Sequence, residues 1–310
     1  MVQIGLMIEG QDGLNWNRWK RILQAAEELP FAFVFRSDHF INPNPPDKDS
    51  LELWTSLTYA ASHTERIGFG PLVAPVTFRH PSITARVAAA VDDLSGGRLV
   101  LGLGAGWNER EHRTFGIPFP PQETRLEMLE EYLRVVILLL RSDEHVSFSG
   151  NYYSLDEAIL LPRPERPGGP PILVGGNGRK RTMPLAARYA DEWNALFVGP
   201  ERLRNLERHM DSLLDEIGRP RDAVTRSVMM GTIFARDERA HMEKLAQRGM
   251  TMQQALDAGW INGTPQMWAE QLSALASAGA QRIMLQWLDQ DNIADLEIIA
   301  RDVLPAIASP

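Results

Sequence analysis

Residues 67–102 read IGFGPLVAPVTFRHPSITARVAAAVDDLSGGRLVLG and contain two apolar runs separated by a helix-forming stretch. The runs at Ile67–Val73 and Arg98–Gly102 predict strands, and Ser82–Leu94 between them predicts a helix that ends in the turn at 95–97. Because these runs are continuously apolar rather than alternating, they indicate strands buried on both faces of a sheet. The stretch therefore predicts a β-α-β unit with parallel strands.

The same alternation extends in both directions along the chain. Strands are predicted at Ile4–Ile8, Phe31–Phe35, Ile67–Val73, Arg98–Gly102, Pro171–Val174, Glu192–Leu196, Thr225–Phe234 and Arg282–Trp287. Helices are predicted at Trp16–Leu29, Leu51–Ser62, Ser82–Leu94, Gln122–Leu140, Thr182–Tyr189, Glu201–Ile217, Glu238–Arg248, Pro265–Ser277 and Ile293–Ile307. Alternating units form either a doubly wound open sheet or a closed barrel. Eight strands favour the barrel, so the predicted fold class is α/β, a (β/α)8 TIM barrel with insertions.

Two stretches exceed what such a barrel needs, and both are predicted as insertions in a single domain that covers residues 1–310. The stretch at 142–170 contains short strand-like pieces, Val146–Phe148 and Tyr152–Ser154, and a proline-rich segment. The second insertion is predicted at 235–264. No linker, repeat or low-complexity segment divides the chain.

The composition excludes several classes of protein. The chain has 32 basic and 40 acidic residues and a net charge of −8, whereas a non-specific nucleic-acid binder normally carries a basic excess. It has no cysteine, which excludes disulfides, thiolate metal sites and cysteine nucleophiles. The start of the sequence lacks signal-peptide features, and the longest strongly apolar run, Val135–Leu140, is far shorter than the ~20 residues of a membrane span. We expect a soluble, cytoplasmic protein that binds neither nucleic acid nor membranes.

In a (β/α)8 barrel the active site lies at the carboxyl ends of the strands, so the residues that follow each strand are candidate site residues. They are Glu9, Gly10, Ser37–Phe40, Ala74, Pro75, Thr77, Gly104, Gly106–Glu109, Gly175–Gly178, Asn194, Gln286 and Trp287. Among them, Trp107 and Trp287 are aromatic side chains that can form the wall for a flat ligand. Trp16, Trp19, Trp54 and Trp268 lie in predicted helices and are interpreted as packing.

Asp38 and His39 are the most reactive pair in this set. An imidazole titrates near neutral pH and can give or take a proton, and a neighbouring carboxylate can orient it. Two polar residues at a strand end can equally well be structural, so position alone leaves both interpretations open.

Two glycine clusters follow predicted strands, at Gly104–Gly106 and Gly175–Gly178. Glycine lets a ligand approach the backbone, and the second cluster leads directly into Arg179-Lys180-Arg181-Thr182 at a helix start, which favours an anion. Neither cluster matches a dinucleotide-binding fingerprint or a P-loop.

Glu109, Glu111 and His112 do not have the spacing of a known metal motif. We interpret them as the solvated start of a helix, and we predict no metal site.

Several stretches together resemble the luciferase-like monooxygenase family, in particular its branch that uses the deazaflavin coenzyme F420. They are Phe35–Phe40 (FRSDHF), Thr77–Pro81 (TFRHP), Asp92–Gly102 (DDLSGGRLVLG), Gly104–Glu109 (GAGWNE), Ile172–Gly178 (ILVGGNG) and Ala186–Asn194 (AARYADEWN). The last third of the chain, from about Glu201, matches only in general pattern.

The resemblance implies a TIM barrel with the cofactor ring at the mouth, backed by a bulge with a non-proline cis peptide within Leu72-Val73-Ala74. It implies that His39 is the acid or base and that Asp38 supports it. The cofactor-binding residues that we predict are Ser37, Asp38, Val73, Ala74, Thr77, Gly104, Gly106, Trp107, Asn108, Gly175, Gly176, Asn177, Gly178, Arg179, Lys180 and Thr182. Family members that oxidise sugar phosphates carry an acid where this chain has Trp107, which favours a flatter, more apolar substrate.

The resemblance implies an oxidoreductase that moves a hydride between the C5 atom of F420 and a small organic substrate. Two alternatives stay open: an FMN-dependent monooxygenase that activates oxygen, and a non-catalytic flavin-binding barrel. The family also implies a homodimer that packs through the helices after strands two and three.

Overall fold

The computed structural model describes residues 2–308, and its centre is a ring of parallel strands. The strands are β1 (Gln3–Ile8), β2 (Phe33–Arg36), β3 (Gly68–Pro71), β4 (Ala74–Pro75), β5 (Leu101–Gly104), β6 (Val146–Ser149), β7 (Ser154–Ala158), β8 (Ile172–Gly175), β9 (Glu192–Leu196), β10 (Thr225–Phe234), β11 (Trp260–Gly263) and β12 (Arg282–Gln286). The main sheet has the order β3-β2-β1-β12-β10-β9-β8-β5-β4. A parallel bridge between Phe69 and Leu99 joins β3 to the start of the β5 segment, so the ring closes. The predicted barrel is confirmed.

Helices surround the ring and connect its strands. They are α1 (Trp16–Glu28), α2 (Leu53–His63), α3 (Pro81–Leu94), α4 (Glu109–Phe115), α5 (Gln122–Arg141), α6 (Thr182–Tyr189), α7 (Pro200–Glu216), α8 (Glu238–Gln247), α9 (Met252–Asp257), α10 (Pro265–Ser277), α11 (Ile293–Ile298) and α12 (Leu304–Ala308). A π-helical turn at Ile299–Val303 joins α11 to α12, where the sequence predicts one continuous helix. No helix within residues 2–308 combines the length and the apolar character needed to cross a bilayer.

The core has two layers. Side chains of the strands and helices form the outer layer, which includes Trp19, Tyr132, Trp193 and Trp268. A separate group fills the inside of the barrel: Met7, Phe33, Phe35, Leu72, Val100, Leu173, Met229 and Met284. The interior is therefore packed below the mouth, and a ligand can enter only above it, at the carboxyl ends of the strands.

The third barrel strand departs from the prediction of one run at Ile67–Val73. It is divided into β3 and β4, and the peptide bond between Leu72 and Val73 is cis. The non-proline cis peptide implied by the resemblance is thus present. At this interruption both Leu72 and Val73 line the cavity described below.

The two predicted insertions contain secondary structure of their own. In the first, β6 and β7 form an antiparallel hairpin, which is longer than the strand-like pieces predicted there. The second contains α8, α9 and β11, and β11 pairs in parallel with the end of β10. The sequence does not predict β11, because WING, at 260–263, is too short and too polar to show a strand pattern. Whether 1–310 is one domain stays a prediction.

Candidate active site at the carboxyl ends of the strands

A cavity of about 730 Å³ opens at the carboxyl ends of the barrel strands. Its apolar wall consists of Met7, Leu72, Val73, Leu126, Leu196, Phe197, Met229 and Leu288, and Trp107 adds an indole at the rim. Its polar wall includes Glu9, Gln11, Asp12, Ser37, His39, Asn42, Gln122, Thr182 and Gln286. An apolar cavity with a few convergent polar groups has the character of a small-molecule site.

His39 lies on this wall directly after β2 and is bound to a carboxylate from α4. Its Nδ1 lies 2.8 Å from Oε1 of Glu111, whose side chain is 1% exposed. The other oxygen of Glu111, Oε2, accepts the backbone N–H of Phe40 at 3.1 Å. Because an ionised carboxylate only accepts hydrogen bonds, Nδ1 carries a proton, and Nε2 is the nitrogen that can exchange a proton with a ligand.

The surroundings of His39 favour its charged form. Burial lowers the pKa of His39, but the hydrogen bond and the charge of Glu111 raise it, with smaller contributions from Glu9 and Asp38. The net result is a pKa above the ordinary value for histidine. Such a group can hold a proton at neutral pH and release it when the local charge changes.

Asp38 acts on His39 through its charge, which raises the pKa of the imidazole, whereas its hydrogen bonds go to another side chain. Its carboxylate is bound by the guanidinium of Arg79, which also donates to Glu52 at 2.9 Å. The charge of the buried Arg36 also acts on Asp38. Asp38 therefore anchors the loop after β2, and Glu111 has the supporting position.

The interpretation of Glu111 and His112 as a solvated helix start is wrong. Both side chains are completely buried, and only Glu109 of the three residues is exposed. His112 Nδ1 donates to the carbonyl oxygen of Asn108 at 2.7 Å, so Nε2 accepts the hydroxyl of Thr77 at 2.7 Å. No group of histidine and carboxylate side chains within residues 2–308 has the arrangement of a metal site.

The bulge at Val73 packs against glycines of the neighbouring strands. A Cβ atom on Gly104 would lie 2.5 Å from Cγ2 of Val73, and one on Gly175 would lie 3.2 Å from Cγ1. Any larger residue at 104 would push Val73 out of this position. The two glycines and Val73 therefore form a smooth floor for a flat ligand, which we call the Val73 floor.

The loop after β8 is held by side chains of the next strand. The indole Nε1 of Trp193 donates to the carbonyl oxygen of Gly176 at 2.9 Å. The amide of Asn177 makes two hydrogen bonds with the backbone of Leu196, at 2.7 and 2.9 Å. Gly176 has a φ of +136°, a conformation that only glycine adopts readily. The loop thus has one fixed path toward the start of α6.

The basic segment after this loop lies outside the cavity. Gly178, Arg179 and Lys180 are exposed, and within residues 2–308 neither cation forms an ion pair. Thr182, the first residue of α6, lines the cavity. No side chain caps the helix; the N–H of Met183 already donates to the carbonyl oxygen of Gly178 at 2.9 Å and Pro184 has no N–H, so in the first turn the N–H of Thr182 is the donor that can meet an anion.

The structure brings only part of the predicted set to the cavity wall. The predicted residues that line it are Ser37, His39, Val73, Gly104, Gly106, Trp107, Gly175, Gly176 and Thr182. The others are placed behind the wall or beside it: Asp38, Ala74, Thr77, Asn108, Asn177, Gly178, Arg179 and Lys180. Asn108 is buried and donates to the carbonyl oxygen of Ile41 at 3.2 Å, so its side chain is structural.

Comparison with known proteins identifies relatives of this chain. The family model of the luciferase-like monooxygenases matches residues 3–278. The chain is 27% identical to an F420-dependent glucose-6-phosphate dehydrogenase of Intrasporangium calvum, over 91% of this chain and 92% of that protein. It is 34% identical to an F420-dependent hydroxymycolic acid dehydrogenase of Mycobacterium tuberculosis, over 56% of this chain and 47% of that protein.

Solved structures share the fold at lower identity. An F420-dependent secondary alcohol dehydrogenase in complex with an F420-acetone adduct superposes with a TM-score of 0.85 at 21% identity, over 99% of both chains. The oxygenating constituent of 3,6-diketocamphane monooxygenase from Pseudomonas putida, in complex with FMN, superposes with a TM-score of 0.76 at 19% identity. This second match covers 100% of both chains.

Proposed function

The chain belongs to the luciferase-like monooxygenase family, and on that basis we propose that it is an F420-dependent oxidoreductase acting on a small organic substrate. The observation that carries the proposal is the His39–Glu111 pair on the wall of a cavity that also has an apolar floor. The two relatives described above are named as F420-dependent dehydrogenases, which favours F420 over FMN as the cofactor.

The residues around the cavity fit a deazaflavin. The Val73 floor offers a flat apolar surface of the kind that a tricyclic ring needs, with Ala74 behind it and Gly106 beside it. Gly176 and Thr182 can receive the phosphate, and Arg179 and Lys180 lie where the rest of an anionic tail would leave the cavity. When bound, F420 supplies a carbon atom, C5, that accepts or gives a hydride.

His39 handles the proton that accompanies hydride transfer. In alcohol oxidation its neutral Nε2 takes the hydroxyl proton, and the resulting imidazolium is stabilised by Glu111 at Nδ1. In carbonyl reduction the imidazolium gives the proton back. Glu111 holds the ring orientation and the proton on Nδ1 throughout, while the apolar wall excludes water from the reacting atoms.

The test is hydride exchange itself, followed through the absorbance of F420 in the presence of secondary alcohols. The parent protein should reduce F420, and His39→Ala should lower turnover by roughly 10²–10⁴-fold while F420 affinity changes by only a few fold. Unchanged turnover in His39→Ala would remove this residue from the mechanism.

A homodimer belongs to the same proposal. Ile83 and Leu94 on α3 are about half exposed, at 54% and 53%, on a helix that packs against α2. A second copy can cover these side chains, and light scattering on the purified protein measures its presence. We also propose one domain for 1–310 and a cytoplasmic location.

A further inference from the structure

The charges on the cavity wall identify the class of substrate. Among the described residues that line the cavity, the ionisable side chains are Glu9, Asp12 and His39, and none is lysine or arginine. An anionic group on a substrate therefore finds neither lysine nor arginine among these lining residues, and the imidazole of His39, which can carry a positive charge, is already paired with Glu111.

Glu9 carries a carboxylate that is held only by neutral donors. Its Oε1 accepts from the amide of Gln286 at 2.7 Å, and its Oε2 accepts from the amide of Gln11 at 2.9 Å. Within residues 2–308 it has no ion-pair partner. Its negative charge interacts with Arg36 and His39 without forming a direct ion pair, so it can also act on whatever occupies the cavity.

Four cations bind residues of the cavity wall, and all four are already engaged. Lys48 donates to Asp12 at 2.5 Å and compensates that carboxylate. Arg125 donates to the carbonyl oxygen atoms of Pro120 and Gly106, at 2.5 and 3.3 Å, and stacks on Phe119. Arg36 donates to the carbonyl oxygen of Ser37 and to the hydroxyl of Ser56, and Arg110 donates to the carbonyl oxygen of Asn42 and to Asp47. None of the four is free to bind an anion without losing these partners.

The remaining wall near His39 is flat and apolar. The indole of Trp107 is 60% exposed, and its ring centroid lies 5.3 Å from that of His39 at an interplanar angle of 77°. Leu126 adds an aliphatic surface to the same cavity. A flat apolar group next to a reacting hydroxyl or carbonyl group can pack on these side chains while the oxygen reaches His39.

We propose that the substrate is an uncharged alcohol or carbonyl compound with a flat apolar group beside the reacting carbon, and that Glu9 excludes anionic compounds such as sugar phosphates. This substrate class rests on the proposed function for its reaction. It separates this chain from relatives named as glucose-6-phosphate dehydrogenases, because a phosphate placed in this cavity would meet the Glu9 carboxylate with no lysine or arginine among the described lining residues, while His39 is already paired with Glu111.

A matched pair of ligands tests the proposal. Acetophenone and 4-acetylbenzoate differ by one carboxylate, and so do the alcohols 1-phenylethanol and 4-(1-hydroxyethyl)benzoate. Calorimetry on the protein, with and without F420, should give a dissociation constant for the acid roughly 100-fold above that of the neutral compound. Turnover of F420 with the two alcohols should follow the same order, and glucose 6-phosphate should not support turnover.

Two variants connect the discrimination to particular side chains. Glu9→Gln keeps the shape of the side chain and removes its charge. The ratio of the dissociation constant of the acid to that of the neutral compound should therefore fall by about tenfold. Glu109→Gln removes the same charge from an exposed position outside the cavity and should leave the ratio unchanged. Trp107→Ala should weaken binding of acetophenone by about tenfold through loss of the indole surface.

The outcomes separate this proposal from the proposed function. The proposed substrate class would be overturned by equal binding of the two ketones, by tighter binding of the acid or by no binding of either. It would also be overturned if the ratio of the two dissociation constants stayed unchanged in Glu9→Gln. Failure of F420 turnover with a preserved binding ratio would instead count against the proposed function alone. Turnover with glucose 6-phosphate would support F420 chemistry and overturn the exclusion of anions.

Discussion

His39 and Glu111 are 72 positions apart in the sequence, and Nδ1 of the imidazole lies 2.8 Å from Oε1 of the carboxylate. The loop after β2 supplies the histidine, and α4, after β5, supplies the glutamate. The pair therefore depends on the closed barrel, which brings the carboxyl ends of β2 and β5 to the same rim.

Removing the charge of Glu111 should change the pH dependence of the reaction. Without it, the burial that lowers the pKa of His39 is no longer outweighed, so the pKa falls. In alcohol oxidation the neutral imidazole is the active form, so the acidic limb of the kcat/KM profile should move to lower pH in Glu111→Gln. Turnover should fall roughly 10–100-fold, because the ring orientation is less well fixed. Glu109→Gln is the control on the same helix, and an identical profile in both variants would exclude this role for Glu111.

Asp38 should matter for stability more than for the proton chemistry. Asp38→Asn leaves the buried Arg36 and the partly buried Arg79 with less compensation, so the free energy of unfolding should fall by about 2–3 kcal/mol. Asp47→Asn breaks an exposed pair with Arg110 and should leave the free energy of unfolding nearly unchanged. Urea denaturation measures both. Equal stability of the two variants would mean that Asp38 does not anchor the loop after β2.

The Val73 floor can be tested with single methyl groups. Gly104→Ala places a Cβ 2.5 Å from Cγ2 of Val73, so Val73 must move and F420 affinity should fall about tenfold or more. Gly199→Ala adds the same methyl group where nothing lies within 4 Å, and its φ of −69° suits alanine. Fluorescence titration with F420 compares them. Parent-like affinity in Gly104→Ala would show that the ring does not use this floor.

The basic segment at 178–181 should bind the anionic tail of the cofactor. Each cation contributes about 1 kcal/mol at 4 Å in water, so replacing Arg179 and Lys180 with alanine should lower F420 affinity by roughly 30-fold at low salt. Added salt should reduce the difference, because both cations are exposed. Replacing Lys20 and Arg21 on α1 with alanine removes the same charges elsewhere and serves as the control. No change in affinity would place the tail elsewhere on the rim.

The sequence predicts the barrel well because its signal is local. Each strand is a short apolar run and each helix has its own periodicity, so alternation along the chain indicates the architecture. The division of the third strand was implied only by the family resemblance, since Leu72-Val73-Ala74 has no local signal of an interruption. The strand β11 was missed because it depends on pairing with β10 rather than on its own composition.

The site is less predictable, because its hydrogen bonds join residues that are distant in sequence. Adjacency suggests Asp38 as the partner of His39, whereas in the structure Asp38 pairs with Arg79 and His39 with Glu111. Glu111 carried one usable signal: on a helix that starts at Glu109, positions 111 and 112 can both face inward while positions 109 and 113 remain exposed. The charge of the cavity could not be predicted from the sequence either, because Gln286 lies 277 positions from Glu9 and Asp12 lies 36 positions from Lys48.

Equilibrium titration of the purified protein with F420 and, separately, with FMN tests the central claim most directly. Binding of F420 should quench or shift the fluorescence of the protein. The dissociation constant of F420 should be at least about tenfold below that of FMN, because the basic segment should also contact the longer anionic tail of F420. The bound F420 should then be reduced by a neutral secondary alcohol. Tighter binding of FMN than of F420, with oxygen consumption by the reduced FMN complex, would contradict the assignment as an F420-dependent oxidoreductase.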